Sequence, residues 1–111
     1  MAVPFESLAA ANSTGPGASH DLGELAEHHT MFVTTTGGAT WALALEGSHD
    51  DTNWLSLGQV SGSSAGPVQV TTPTTDVPGI LVRYVRANLT TLTGGSSPTV
   101  TATIASDTEE E

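Results

Sequence analysis

Two runs that alternate large apolar with small or polar residues meet across a short polar stretch, and no other feature constrains the fold as much. Trp41, Leu43 and Leu45 alternate with Thr40, Ala42, Ala44 and Glu46, the period-two pattern of a strand with one buried face. Gly47-Ser48-His49-Asp50-Asp51-Thr52-Asn53-Trp54 supplies a polar turn, and Trp54-Leu55-Ser56-Leu57 restarts an extended run. Asp and Asn side chains hydrogen-bond nearby backbone groups and tolerate left-handed conformations, so His49 to Asn53 can reverse the chain without glycine at the tip. The segment reads as a β-hairpin whose returning strand opens on Trp54. Trp41, in register with Leu43 and Leu45, reads as core, and Trp54 as a packing residue that covers the hairpin.

The rest of the chain follows the same logic. Threonine and glycine are abundant, and short β-branched runs recur between Gly, Ser and Pro punctuation, which implies an all-β domain. Strands are expected near Phe5 to Ala10, Met31 to Thr36, Thr40 to Glu46, Trp54 to Val60, Val68 to Thr72, Ile80 to Leu89 and Val100 to Ala105. These about seven strands fit a small antiparallel β-sandwich or jelly-roll-like barrel. Thr36-Gly37-Gly38-Ala39 reads as a two-residue hairpin turn, and Gly94-Gly95-Ser96-Ser97-Pro98 as a similar connection between the last two strands. Asp21 to Glu27 could form a helical turn, but Gly23 and its brevity favour a loop or a short strand edge. Ile80 to Leu89 carries large apolar residues on both faces, as expected of a strand covered on both sides. There Val85, Ala87 and Leu89 are expected toward the core, and Tyr84 and Arg86 toward a neighbouring subunit or loop.

Domain organisation follows from composition. Residues 1–17 form an N-terminal strand or a docking arm, with Phe5 and Leu8 as its apolar anchors, joined by the small-residue stretch Ala9 to Gly17. Residues 18–105 form the sandwich, and residues 106–111 an acidic tail too polar to gain from burial. With 111 residues the chain is expected to be one domain.

Charge and cysteine content exclude several functions. Twelve carboxylates face two arginines and no lysine, a net charge of −10, which disfavours nucleic acid and anionic membrane surfaces as partners. Arg83 and Arg86 point to opposite faces of a strand and are expected to pair with different carboxylates, with an intermolecular contact as the alternative. Cysteine is absent, so there is neither a disulfide framework nor a thiolate nucleophile. No signal peptide or membrane-spanning stretch is apparent, so synthesis in a host cytoplasm is expected, and the sequons Asn12-Ser13-Thr14 and Asn88-Leu89-Thr90 carry no weight. Gly62-Ser63-Ser64-Ala65-Gly66 matches a nucleophile elbow formally, but Pro67-Val68-Gln69-Val70 continues toward a strand where that motif needs a helix. His20, Asp21, His28, His29, His49, Asp50 and Asp51 lack metal-ligand spacing. No catalytic residue, cofactor or metal is expected.

The hairpin Gly47, Ser48, Asp50, Asp51, Asn53 and Trp54 resembles the Gly-Ser-x-Asp-Gly-Thr-x-Trp hairpin of small β-sandwich virion proteins of tailed bacteriophages, with Asp51 where that pattern has glycine. Tyr84-Val85-Arg86 resembles the late strand of the same domains, so the resemblance spans roughly Met31 to Ala105. It implies a virion structural protein, most simply a capsid decoration protein on the head exterior, trimeric, with the major capsid protein and further copies of itself as partners. Phe5, Leu8, Arg83, Tyr84 and Arg86 are then the candidate partner contacts. The Asp-x-x-x-Trp hairpin also resembles discoidin-like sugar-binding sandwiches. The alternative is therefore a tail- or fibre-associated glycan-binding module.

Overall fold

The computed structural model describes residues 5–26, 28–62, 68–72 and 81–107. Among these residues the chain runs through β1 (Phe5–Ala11), β2 (Gly15–Pro16), β3 (His20–Ala26), β4 (His28–Thr36), β5 (Thr40–Ser48), β6 (Trp54–Gly62), β7 (Val68–Thr72), β8 (Val82–Thr93) and β9 (Thr99–Asp107), with no helix. One sheet has the order β1-β9-β4-β7, and the other β2-β8-β5-β6, with β3 also against β8. All pairings are antiparallel, and the fold is an all-β sandwich.

Alternation along the strands decides what lies between the sheets. Met31 and Val33 of β4 with Val100, Ala102 and Ile104 of β9 face Trp41, Leu43 and Leu45 of β5 and Val85, Ala87 and Leu89 of β8. Burying each larger aliphatic side chain contributes about 1.5–3 kcal/mol. Trp41 and the three core residues expected on β8 are at most 1 % exposed, as their period-two spacing implies.

The glycine turns differ from expectation. Gly37 and Gly38 both have positive φ, 89° and 72°, the geometry of a tight reversal. Yet β4 pairs with β9 and β7, while β5 pairs with β6 and β8. The turn therefore carries the chain from one sheet to the other. The 94–98 connection makes the opposite crossing from β8 to β9, and the two turns meet, with the Ser96 N–H donating to Gly37 O at 2.9 Å. A Cβ on Gly37 would lie 2.6 Å from Pro98 Cα, so both glycine's φ and its lack of a side chain are needed there.

Of the N-terminal segment, the described residues 5–17 take the strand alternative and form neither a docking arm nor a linker. β1 lies along β9, with Phe5 opposite Ile104 and Leu8 opposite Ala102, and Gly15 and Pro16 pair with Leu89 and Asn88. Ala18 N–H donates to Ser7 O at 2.8 Å, and Ser7 Oγ accepts the Ala87 N–H at 2.9 Å, tying the two sheets together at this edge. His20 to Ala26 forms a strand with a register shift between Asp21 and Ala26, which blurs any alternation there. Ser106 and Asp107, assigned by sequence to the tail, belong to β9. Residues 108–111 and the serines of the elbow-like motif at 63–66 lie outside the described residues.

Candidate functional site

The expected hairpin joins β5 to β6, with Ser48 opposite Trp54 as its last pair. Within the turn, the Asp50 carboxylate accepts from Ser48 Oγ at 2.9 Å, from the backbone N–H groups of Thr52 at 3.0 Å and Asn53 at 2.8 Å, and from Asn53 Nδ2 at 2.8 Å. Ser48 Oγ in turn accepts the Asp50 and Asp51 N–H groups. This network satisfies the backbone of a turn that has no further strand pairing to use. Asp51 has φ 62°, so the position where the phage pattern has glycine does require the left-handed region. Gly47 is needed for another reason: its Cβ would lie 2.7 Å from Val82 Cγ1 and 3.0 Å from Leu57 Cδ1.

The rigid turn forms one wall of an open cleft of about 610 Å³ at this end of the sandwich. Leu55, Leu81 and Val82 give it apolar walls, and His49, Asp50 and Asn53 a polar rim. Leu55 is 52 % and Leu81 46 % exposed. His49 Nε2 donates to Leu81 O at 2.6 Å, which ties the turn to the start of β8. Hydrogen bonds from the Asn53 backbone, the Asn53 side chain, the Thr52 backbone and Ser48 hold the Asp50 carboxyl far below the ordinary carboxylate range. So weak a base is unsuited to activating the neighbouring Ser48 hydroxyl. The arrangement suits recognition of an apolar group with a few polar contacts at its edge.

A second cluster lies on the outward face of the β8-β5-β6 layer. Arg86 Nε donates to Glu46 Oε1 at 2.8 Å, Asn88 Nδ2 donates to Glu46 Oε2 at 3.1 Å, and the Arg86 guanidinium sits 4.1 Å from the centre of the Trp54 ring. Trp54 is partly exposed here and stands outside the core, which corrects its expected packing role. Ser48 and Trp54 are directly opposite, so Trp54 shares the outward face of Ser48 and Glu46, away from Trp41.

The other candidate contacts separate. Leu8 is 6 % exposed and part of the core, which removes it from any partner surface. Phe5 is partly buried and stacks on His20 at 4.5 Å between ring centres. Arg83 Nε and Nη2 donate to the two Asp21 carboxylate oxygens at 2.7 and 3.0 Å, and the guanidinium lies 5.5 Å from the half-buried Tyr84 ring. The arginine beside Asp21 holds that carboxyl below its ordinary range, with the Gly23 N–H helping. Both arginines thus pair within the chain and with different carboxylates. Among the described residues no three His, Asp or Glu side chains gather to hold a metal ion, and no helix is long and apolar enough to cross a membrane. Sequence reasoning missed Leu55 and Leu81. Their signal was apolar residues flanking polar turn segments, which does not distinguish a cleft wall from core.

No protein-family model and no curated protein sequence matches the chain. Its fold is similar to that of the SPBc2 prophage-derived protein YomS, with a TM-score of 0.62 and 12% identity over 96% of this chain and 94% of that one. It is also similar to the C-terminal domain of a chitobiase from Bacteroides fragilis, with a TM-score of 0.56 and 15% identity over 97% of this chain and 66% of that one. Truncated AlyQ, with CBM32 and alginate lyase domains, gives a TM-score of 0.59 and 15% identity over 96% of this chain and 27% of that one. At such identities the likeness establishes a shared fold.

Proposed function

We propose that this chain is a non-enzymatic structural protein of a tailed-phage virion, a β-sandwich that decorates the exterior of the head and binds the major capsid protein through its hairpin end. The observation that carries this reading is the cleft beside the hydrogen-bonded hairpin. Exposed Leu55 and Leu81 flank a turn that needs no ordering on binding, and preorganisation lowers the entropic cost of association. The resemblance of the hairpin to that of virion sandwiches and the fold likeness to a prophage-derived protein over nearly all of both chains support it. Both arginines are engaged by Asp21 and Glu46, which leaves no cationic side chain for phosphates and agrees with an outward location, away from packaged DNA. Cryo-electron microscopy of virions tests the reading. Density on the outer head surface with the hairpin end inward is expected, and density on the tail alone would reject it.

The glycan-binding alternative has its own observation. Trp54 presents a partly exposed ring beside Arg86, Glu46 and Asn88, a set of stacking and hydrogen-bonding groups that suits a sugar. A glycan array separates the readings: decoration predicts no signal, whereas a specific sugar signal lost in Trp54→Ala with the fold retained supports the alternative.

A further inference from the structure

We propose that the cleft at the hairpin end docks a segment of a partner protein that carries an aromatic or branched aliphatic side chain next to a lysine or arginine. The inference rests on the reading of this end as the protein-binding face and names the chemistry that face selects. Its apolar part is a recess: half-exposed Leu55 and Leu81 stand with buried Val82 around a space of about 610 Å³. That lies within the roughly 300–1,000 Å³ of sites that enclose a compact ligand. A single anchoring side chain in such a recess can carry much of the binding energy without a wide flat interface.

The rim decides the charge of the occupant. Asp50 lines the cleft, and the donors to its carboxylate are all uncharged. Its Oδ1 accepts from Ser48 Oγ and from the Thr52 and Asn53 N–H groups, whereas its Oδ2 accepts only from Asn53 Nδ2. A carboxylate offers about four lone-pair sites, so Oδ2 keeps room for a further donor. The same bonds hold the group ionised across the neutral range. Asp51 adds a second exposed carboxylate in the turn. The chain has two arginines and no lysine, and Arg83 is held by Asp21 and Arg86 by Glu46. His49 is engaged through Nε2 with Leu81 O at 2.6 Å. An ammonium or guanidinium brought by the partner therefore finds an acceptor that lacks a cation and suits a charge-assisted bond, while an anionic occupant would be repelled by both aspartates.

Those pairings also argue against a second copy as the occupant. An identical chain has no free side-chain cation to offer Asp50, and it would bring a net charge of −10 against the same charge.

Peptide titrations of the full chain, followed by NMR at about pH 8, where histidine side chains are neutral, test this. The probe Ac-Gly-Phe-Gly-Lys-Gly-NH2 sets its phenyl and ammonium groups on one side of an extended segment, and its two counterparts carry Gln or Glu in place of Lys. At about 10 mM salt, where the screening length is about 30 Å, the Lys peptide should bind about threefold tighter than the Gln peptide and about tenfold tighter than the Glu peptide, as expected of an exposed ion pair. The shifts should centre on Leu55, Leu81 and the turn at 48–53, and the preference should shrink at about 0.15 M salt. Leu55→Ser, at a half-exposed position, should weaken all three peptides. Asp50→Asn keeps the Oδ1 acceptor and should erase the preference for Lys; should that variant fail to fold, the three peptides on the wild-type chain decide the question alone. No binding of the Lys peptide, equal affinity for the Lys and Glu peptides, or shifts centred elsewhere would overturn the inference. So would Leu55 and Leu81 signals that move on dilution of the peptide-free chain, since a second copy would then fill the cleft. Each of these results leaves density on the virion head untouched, and density on the tail alone would reject the head assignment without altering the peptide series, so the two failures are distinguishable.

Discussion

Asp51 holds a backbone conformation that glycine reaches without strain, and Asp50 supplies the hydrogen bonds that make the conformation worthwhile. The two neighbours should therefore respond differently to substitution. Asp51→Gly removes a side chain from the left-handed region but adds freedom to the unfolded chain, so the balance is expected within about 1 kcal/mol of wild type. Asp50→Ala leaves the Thr52 and Asn53 N–H groups and the Asn53 amide without their acceptor and should lower the melting temperature clearly. Urea titrations of both variants check the contrast; equal losses would show that the Asp50 hydrogen bonds contribute no more than the chain freedom that glycine adds at 51. Gly47 belongs to the same logic at closer range, since Val82 and Leu57 occupy the space of its missing side chain.

At the scale of elements, the two tryptophans of the β5–β6 hairpin should behave differently. Trp41 is 1 % exposed among core side chains, and its truncation to alanine should cost about 3–5 kcal/mol. Trp54→Ala should cost less, because it removes a partly exposed ring and a cation–π contact of about 0.5–2 kcal/mol. A double-mutant cycle with Arg86→Ala should show positive coupling; additive losses would mean that the stacked geometry contributes nothing measurable. Much of this hairpin was legible from sequence, because period-two alternation in Trp41, Leu43 and Leu45 fixes which face is buried, and the polar run at 48–53 has one obvious use. The same alternation gave Val85, Ala87 and Leu89 on β8. Trp54 was misread because it is a large aromatic outside that alternation. Its register opposite Ser48, which sends it outward, is set by the turn at 49–53, and the polar run alone does not say how many residues that turn takes up. The glycine pairs at 37–38 and 94–95 encode reversal but not which strand the chain then joins, so both sheet crossings were invisible. β3 was legible only as a loop or a short strand edge, because His20-Asp21-Leu22-Gly23-Glu24 lacks an apolar face, and it is held by β8 pairing and the Asp21–Arg83 contact. The cleft depends on where Leu81 comes to rest beside the turn, a contact between residues 32 apart in sequence.

Across the whole molecule, the sandwich is fastened at one end by a buried histidine whose protonation opposes folding. His29 of β4 is 1 % exposed. Its Nε2 lies 3.1 Å from Ala26 O, at the end of β3 in the opposite sheet, and its Nδ1 lies 2.8 Å from Ser106 Oγ on β9. A carbonyl only accepts, so Nε2 carries the proton and Nδ1 accepts from the serine hydroxyl. Burial pushes the imidazole below its ordinary value of 6.5; the neighbouring His28 acts in the same direction, while the bond to Ala26 opposes them. The unfolded chain therefore binds a proton at higher pH than the folded chain. Stability is fully present above about pH 6.5 and falls as pH drops toward the depressed folded value. The carboxylates act in a separate window, since Asp21 and Asp50 are held below 3.8 and their contributions are lost only under more acidic conditions. Urea midpoints at about pH 7, 6 and 5 should decline in the wild type. In His29→Gln, which can still donate to Ala26 O without taking up a proton, stability at neutral pH should fall and that decline should flatten. If the variant instead keeps the full wild-type decline, the protonation that opposes folding occurs at another site.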